Sequence, residues 1–364
     1  MSKGFLPDKD SPEGQTILQQ VKAGQADALW KGLGYKNRPN FLAALNKSYG
    51  FFISKEPIAW RRAEKEPPEV RDLSPVELRE YKGLKVGKGD PETQVVVIGD
   101  GHAGEITPSF NPDVYKKRMN ELFDRTMVIT NLHRNMYPLN DLVVIDVGDN
   151  VHGESPYQGA TIASVACGAV DQVYDIALPA IRNLLFSFKQ EFRTVRFVGV
   201  RGNHGRVSLT SPRTSNWDMM LYKTLAKINL PKGITVESSD DFKALIDIEG
   251  FKFFVFHGDQ CRATMGIPYF ALIKKLMSWS HTFSFDYAVC GHFHKEDYLR
   301  VSSEAKLLIN GSLVTDDPYA LEVVGTSSIP CHWSFGVHKR YGISWLYNLI
   351  LDPSFLPSKR VKND

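Results

Sequence analysis

Five apolar, β-branched runs, each followed at once or within a residue or two by a short Asp/Asn/Gly/His motif, set the strongest limit on how this chain folds. VVVI precedes Asp100-Gly101-His102, and LVVIDV leads into Gly148-Asp149-Asn150. VRFVGV precedes Gly202-Asn203-His204, FKFFVF precedes His257-Gly258-Asp259, and DYAVC precedes Gly291-His292-Phe293-His294. Runs of this composition read as strands buried on both faces. The carboxylate, imidazole and amide groups therefore fall where strands end and loops begin, the edge on which an α/β sheet presents chemistry.

The intervals between motifs carry helical patterns over Val114 to Met136, Ala160 to Phe188, Asn216 to Ala226 and Pro268 to Trp279. Strands alternating with helices predict an α/β domain over 94–364. Near its end, His332-Trp333-Ser334-Phe335 and Tyr341-Gly342-Ile343-Ser344-Trp345 alternate as half-buried strand residues do. With 364 residues, 43% of them apolar, the chain has material for a full α/β core and a small second module.

That second module is expected over 1–53. Ile17, Leu18 and Val21 form one apolar stripe at helical spacing, Ala26, Leu29 and Trp30 a second, and Phe41, Leu42, Leu45 and Tyr49 a third. Gly32, Gly34, Asn37 and Pro39 punctuate the second and third, with Pro39 at a plausible first helical position. The pattern is similar to a helix-turn-helix. Between 14 and 50, Lys22, Lys31, Lys36, Arg38 and Lys47 face the single acid Asp27, a balance suited to phosphate contacts and so to DNA. A helical bundle that packs on the catalytic domain or on another subunit fits the same pattern. Residues 54–93 are charged and punctuated by proline, with one short helical stretch after Ser74-Pro75, and read as a linker.

The net charge of +3 comes wholly from residues 1–93, which hold 16 Lys+Arg against 13 Asp+Glu; the remainder balances at 28 of each. Attraction for nucleic acid therefore begins at the N-terminal segment. No stretch approaches the roughly 18 apolar residues of a membrane span, and the first residues lack a signal-peptide pattern, so no membrane partner and a cytoplasmic address are expected. Cys167, Cys261, Cys290 and Cys331 have no metal-pair spacing and read as mostly buried thiols.

In order and residue type, the five motifs resemble those of the calcineurin-like metallophosphoesterase superfamily over roughly residues 94–315. The resemblance implies a four-layer α-β-β-α sandwich and two divalent ions, with manganese the expected activator and iron or zinc as alternatives. It further implies Asp100, His102 and His294 on one ion, Asn203, His257 and His292 on the other, and Asp149 bridging. Such a pair lowers the pKa of a shared water and neutralises phosphate oxygens, so that a metal-bridging hydroxide attacks the phosphorus. His204 would face the phosphate as charge stabiliser or proton donor.

Two departures turn the expectation from protein phosphatases towards phosphodiesterases and nucleases. The second motif continues Val151-His152-Gly153-Glu154 with no arginine to grip a phosphate in a bidentate fork. The third ends in Gly205 rather than an acid. His152, Arg201 and Arg206 remain candidate phosphate contacts, the arginines being equally suited to a solvated surface. Asp259 is placed either to orient His257 or to cap its own loop, Asp146 receives no role, and His133, His281, His332 and His338 read as ordinary core or loop residues. The leading expectation is a nuclease similar to DNA repair exonucleases of phage and bacterial type. The alternatives are a phosphodiesterase or phosphatase for a small nucleotide or similar ester, and a DNA-binding module whose phosphoesterase fold is silent.

Overall fold

The computed structural model describes residues 5–22, 26–49, 89–154, 164–208, 210–261, 268–318 and 328–355. Most of the expected linker, the helical stretch after Ser74-Pro75 and the start of the Ala160 to Phe188 pattern lie outside them. The chain divides into two compact units, Met1–Asp72 and Leu73–Asp364.

In the first unit, α1 (Pro12–Lys22), α2 (Ala26–Gly32) and α3 (Arg38–Tyr49) close over Leu6, Ile17, Val21, Phe41 and Leu45, with Leu29, Trp30 and Tyr35 packed alongside. Ser11 caps α1 by accepting from the Gly14 N–H, and Asn37 caps α3 by accepting from Asn40. Arg38 thus starts α3, and Pro39 takes its second position, where its missing N–H costs nothing. Gly34, at φ 76°, makes the left-handed turn between α2 and α3. Tyr49 ties the end of α3 back to the carbonyl of Pro7 at 2.7 Å. Lys31, Lys36 and Lys47 are exposed.

The second unit is α/β with two sheets. One holds β1 (Glu92–Ile98), β2 (Asp141–Asp146), β3 (Thr194–Gly199), β4 (Ile234–Ser238), β10 (Cys331–His338) and β11 (Gly342–Ile350), in the order β11-β10-β1-β2-β3-β4. β1 to β4 run parallel, and β10 and β11 add antiparallel strands beside β1. The other holds β5 (Lys243–Ile248), β6 (Phe251–Phe256), β7 (Tyr287–Cys290), β8 (Asp297–Arg300) and β9 (Lys306–Ile309), ordered β5-β6-β7-β9-β8 with β6, β7 and β9 parallel.

Alternation along the strands divides the core. Val95, Val97, Val143, Ile145, Val198 and Phe335 pack with Phe253, Val255, Val289 and Leu308, so these faces of the two sheets share one apolar cluster. The intervening Val96, Ile98, Leu142, Val144 and Phe197 pack with α4 (Pro112–Arg134), α6 (Leu178–Glu191) and α7 (Trp217–Leu225). α8 (Tyr269–Ser280) covers Phe254, Phe256, Ala288 and Leu307. Apolar residues at consecutive strand positions are buried because both faces are covered.

The helical spans agree with the sequence patterns to within two residues, except over Ala160 to Phe188. There the described part is a short helix, α5 (Ala169–Asp171), a π-turn at Gln172–Ala177, and α6. Among the described residues no helix is long and apolar enough to cross a membrane. Cys261, Cys290 and Cys331 are buried, Cys167 is partly exposed, and all four are free thiols.

Candidate metal centre

Each motif lies at the C-terminal end of a parallel strand: Asp100 after β1, Asp149 after β2, Asn203 after β3, His257 after β6 and His292 after β7. The backbone there is bent beyond what L-residues prefer. Of seven described non-glycine residues with positive φ, five are candidate ligands: Asp100 (46°), His102 (45°), Asp149 (55°), His292 (73°) and His294 (53°). Left-handed backbone at such residues costs on the order of 1–3 kcal/mol each and persists where surrounding structure enforces it.

That enforcement is visible residue by residue. The N–H groups of Asp100, Gly101 and His102 donate to the carbonyls of Gly148 and Asp149, tying the first loop to the second. Ser312 Oγ and the Leu313 N–H, in the loop after β9, hold the carbonyl of Asp100 at 2.8 and 3.1 Å. The Asp100 carboxylate accepts from the His292 N–H with both oxygens, at 3.0 and 2.9 Å. Gly202 and Gly291 are needed for clearance: a Cβ on Gly202 would strike Asp149 Oδ1, and one on Gly291 would strike Asp100 Oδ2.

Asp218, in the first turn of α7, joins the second and third loops. Its fully buried carboxylate accepts from the N–H groups of Asp149 (3.1 Å), Asn150 (3.0 Å) and Gly202 (2.8 Å). Asn216, the N-cap of α7, adds a bond from its Nδ2 to the Gly202 carbonyl at 2.9 Å. Burial, reinforced by nearby Asp149, pushes Asp218 up to about 6, and the three N–H groups oppose that rise. Asp218→Ala would leave three buried donors without an acceptor. It should cost at least about 3 kcal/mol of stability, and denaturant unfolding of both proteins without metal would measure it.

The candidate ligand side chains gather in two groups, Asp100 with His102 and His294, and Asp149 with His257 and His292; within each, the donor atoms lie within 4.8 Å of one another. Asn203 Oδ1 joins the second at 2.9 Å from His257 Nε2, which is also 3.0 Å from Asp149 Oδ2. His257 Nδ1 donates to the carbonyl of Val147 at 2.7 Å. That carbonyl, rather than Asp259, orients the ring; Asp259 instead accepts from the neighbouring Gln260 side chain.

These donors fit divalent cations. His102 Nε2 and His294 Nε2 face each other at 3.1 Å, close to the spacing of about 3.3 Å that two imidazoles adopt around one tetrahedral ion. Burial pushes His292 down to about 3, His294 to about 4 and His102 well below its usual range, so these rings are neutral with lone pairs to give. At His257, burial also acts downwards, but Asp149 and then Asp100 outweigh it and push the imidazole up to about 10. Burial by itself would raise Asp149, yet the charges of His257 and His204 hold it well below the carboxylate range. Without metal, a proton on His257 compensates Asp149; a cation would take over that compensation and release the proton.

His204 faces the same volume without joining either group. Its N–H donates to Asp149 Oδ1 at 2.7 Å and its Nδ1 to the carbonyl of His152 at 3.2 Å, and its ring meets that of His102 edge-on. That leaves its Nε2 without a hydrogen bond among the described residues. His152 is buried beside it. Arg201 is not aimed at this space, because its guanidinium holds the carbonyls of Asp240 and Asp241 at 2.6 and 2.8 Å. Arg206 is exposed on the loop that pairs with Asn216. Lys22, Lys31, Lys36, Arg38 and Lys47 belong to the first unit.

Sequence reasoning missed Glu105, Asn150, Asn216, Asp218 and the Ser312 loop. Asn216-Trp217-Asp218 carries an N-cap pattern that was readable, but its connection to Gly202 was not. Asp146, given no role, accepts from the Gly148 N–H and the Asn150 side chain and so holds the turn before Asp149; burial pushes it up to about 7. His332 is buried and neutral, its pKa pushed down to about 3 by burial, and His133 stacks on Trp345. His338 stacks on Tyr341 and His281 ends α8.

No protein-family model matches the chain, and no curated protein matches it. Among solved structures, it is similar to Vacuolar Protein Sorting 29 from Cryptosporidium parvum, with 16% identity and a TM-score of 0.31 over 68% of this chain and 87% of that one. A conserved uncharacterized protein of Streptococcus pneumoniae TIGR4, described as a predicted phosphoesterase, gives 12%, 0.30, 68% and 84%. A purple acid phosphatase from yellow lupin seeds gives 13%, 0.34, 70% and 50%. Likenesses this distant leave the chemistry to be read from the site's own residues.

Proposed function

We propose that the chain is a two-metal phosphodiesterase of the calcineurin-like metallophosphoesterase type, acting on DNA. The observation that carries this reading is the convergence of all seven candidate ligands and His204 on one volume at the strand ends, on loops bent and clipped to bring them there. The three apolar clusters of the larger unit support the layer order helix, sheet, sheet, helix that belongs with this reading.

Asp100, His102 and His294 would hold one ion and Asn203, His257 and His292 the other, with Asp149 shared; the mix of hard oxygens and imidazoles suits manganese, iron or zinc better than calcium. Bound there, divalent ions supply Lewis acidity towards phosphate oxygens and lower the pKa of an attacking water. The chain's own groups do the rest. His204, its Nδ1 fixed on the His152 carbonyl, presents Nε2 to the substrate. Burial lowers its pKa, which Asp149 partly offsets, and an arriving phosphate anion favours the protonated ring that can give its proton to the leaving oxygen.

With no arginine in the second motif, Arg201 engaged elsewhere and Arg206 exposed on its loop, no described arginine is fixed in the site to grip a dianionic monoester in a bidentate fork. The substrate is therefore a diester. The basic helices of the first unit supply sequence-independent contacts to a DNA backbone. The test is hydrolysis by manganese-loaded protein of bis(p-nitrophenyl) phosphate, p-nitrophenyl phosphate and single- and double-stranded DNA. The simple diester should be cut faster than the monoester, and DNA should be cut. Changing Lys31, Lys36 and Lys47 together to alanine should weaken DNA binding and lower its salt slope by about 1 for each lysine that had neutralised a phosphate, while sparing the small diester. Preference for the monoester would return the enzyme to the phosphatases. DNA binding unchanged by the triple substitution would assign the helices to packing.

A further inference from the structure

His102 belongs to a second gathering of ring nitrogens besides the one it shares with Asp100 and His294. Together with His152 and His204 it forms a group whose donor atoms also lie within 4.8 Å of one another. His152 is only 3% exposed, and its Nε2 has no hydrogen-bond partner in the structure. Its Nδ1 lies 3.1 Å from Glu105 Oε2, an ion-pair contact off the hydrogen-bond direction, and the same carboxylate oxygen is 3.7 Å from His102 Nδ1. Glu105 is itself buried. A buried imidazole with one nitrogen unbonded and a carboxylate oxygen 3.1 Å from the other, off line but within reach of the N–H to carboxylate bond that backs metal-ligating histidines, is placed to take an ion. His204 completes the group: its Nδ1 is on the His152 carbonyl, which leaves Nε2 to give.

We infer that His102, His152 and His204, backed by Glu105, form a separate zinc site that competes with the hydrolytic centre. Three imidazoles with no first-rank oxygen donor favour a borderline ion such as zinc over manganese, magnesium or calcium. The hydrolytic groups, which contain Asp100 and Asp149, accept the harder ions. Because His102 is common to both gatherings and His204 is the proposed proton donor, zinc in the all-imidazole position removes one ligand and the donor together. Excess zinc is thus an inhibitor of the manganese-loaded enzyme. The inhibitory consequence rests on the hydrolytic reading above; the cation site itself does not.

The test uses the full chain loaded with manganese and then exposed to zinc chloride. Anomalous scattering at the zinc edge should place an ion on the side chains of His152 and His204, and that peak should vanish in His152→Ala. In solution, Glu105→Gln, which keeps the shape and loses the charge, should weaken zinc binding at this position about 10- to 100-fold, seen as a matching rise in the zinc concentration that halves diester hydrolysis. Zinc found only with Asp100 and Asp149, or a peak that persists in His152→Ala, overturns the site. Unchanged zinc sensitivity in Glu105→Gln overturns the role of the carboxylate in it. If no diester is cleaved at all, the hydrolytic reading fails while the scattering experiment still decides the zinc site.

Discussion

Asp149→Asn should weaken binding at both metal positions and reduce turnover by about 10³-fold or more, a larger loss than removal of any other single candidate ligand. Stabilising groups aimed at developing charge are each worth about 10²- to 10³-fold, and in the proposed centre Asp149 would serve two ions at once. Its Oδ1 accepts the His204 N–H, and its Oδ2 stands 3.0 Å from His257 Nε2. An amide of the same shape turns its NH2 towards one of these donors and cancels the charge that keeps His257 protonated before metal arrives. Proton release is therefore the sharper readout. In the parent at pH 8, well under the value of about 10 reached by His257, metal binding must displace that proton; in the variant only Asp100 and Asp259 still oppose the effect of burial, so the imidazole holds its proton less and metal releases a smaller share. Isothermal titration with manganese in buffers of different ionisation enthalpy measures both quantities. A variant that binds two ions with the parental proton release would remove Asp149 from the shared position.

The parts of this site legible in the sequence are those that sit on a strand end. A buried parallel strand announces itself by consecutive apolar residues, and the residue types immediately after VVVI, FKFFVF or DYAVC are chemically unusual enough to single out Asp100, His257 and His292. The rest of the candidate ligand set comes only from the family resemblance that the order of the motifs carries. What holds those residues in place was not legible. Asp218 lies 69 residues from Asp149 in sequence, and a carboxylate that accepts backbone N–H groups leaves no trace in periodicity or composition. Glu105, three residues past His102, looks like any loop acid until His152 is brought against it from the next motif. The arginines illustrate the opposite failure. Arg201 flanks Gly202 and so reads as a phosphate contact, but the turn between β4 and β5 presents two carbonyls that satisfy it first. Pairings of this kind depend on which loops meet, and that follows from sheet order rather than from local sequence.

His204→Ala should separate chemistry from metal binding. The ring donates Nδ1 to a backbone carbonyl and belongs to neither ligand group of the hydrolytic centre, so its removal should leave two manganese ions in place. Its loss should slow diester hydrolysis by about 10²- to 10⁴-fold, the range for a lost general acid. The hydrogen bond that positions Asp149 comes from the backbone N–H of residue 204 and survives the substitution, which is why the shared carboxylate should not move. The leaving group discriminates between the two roles open to the ring. If His204 gives a proton, a diester with a poor leaving group such as a nucleoside should suffer far more than one releasing p-nitrophenolate, which departs without help. If the ring only balances charge on the phosphate, both substrates should slow alike. An emptied metal position in His204→Ala, or hydrolysis of both substrates at the parental rate, would show that neither role belongs to it.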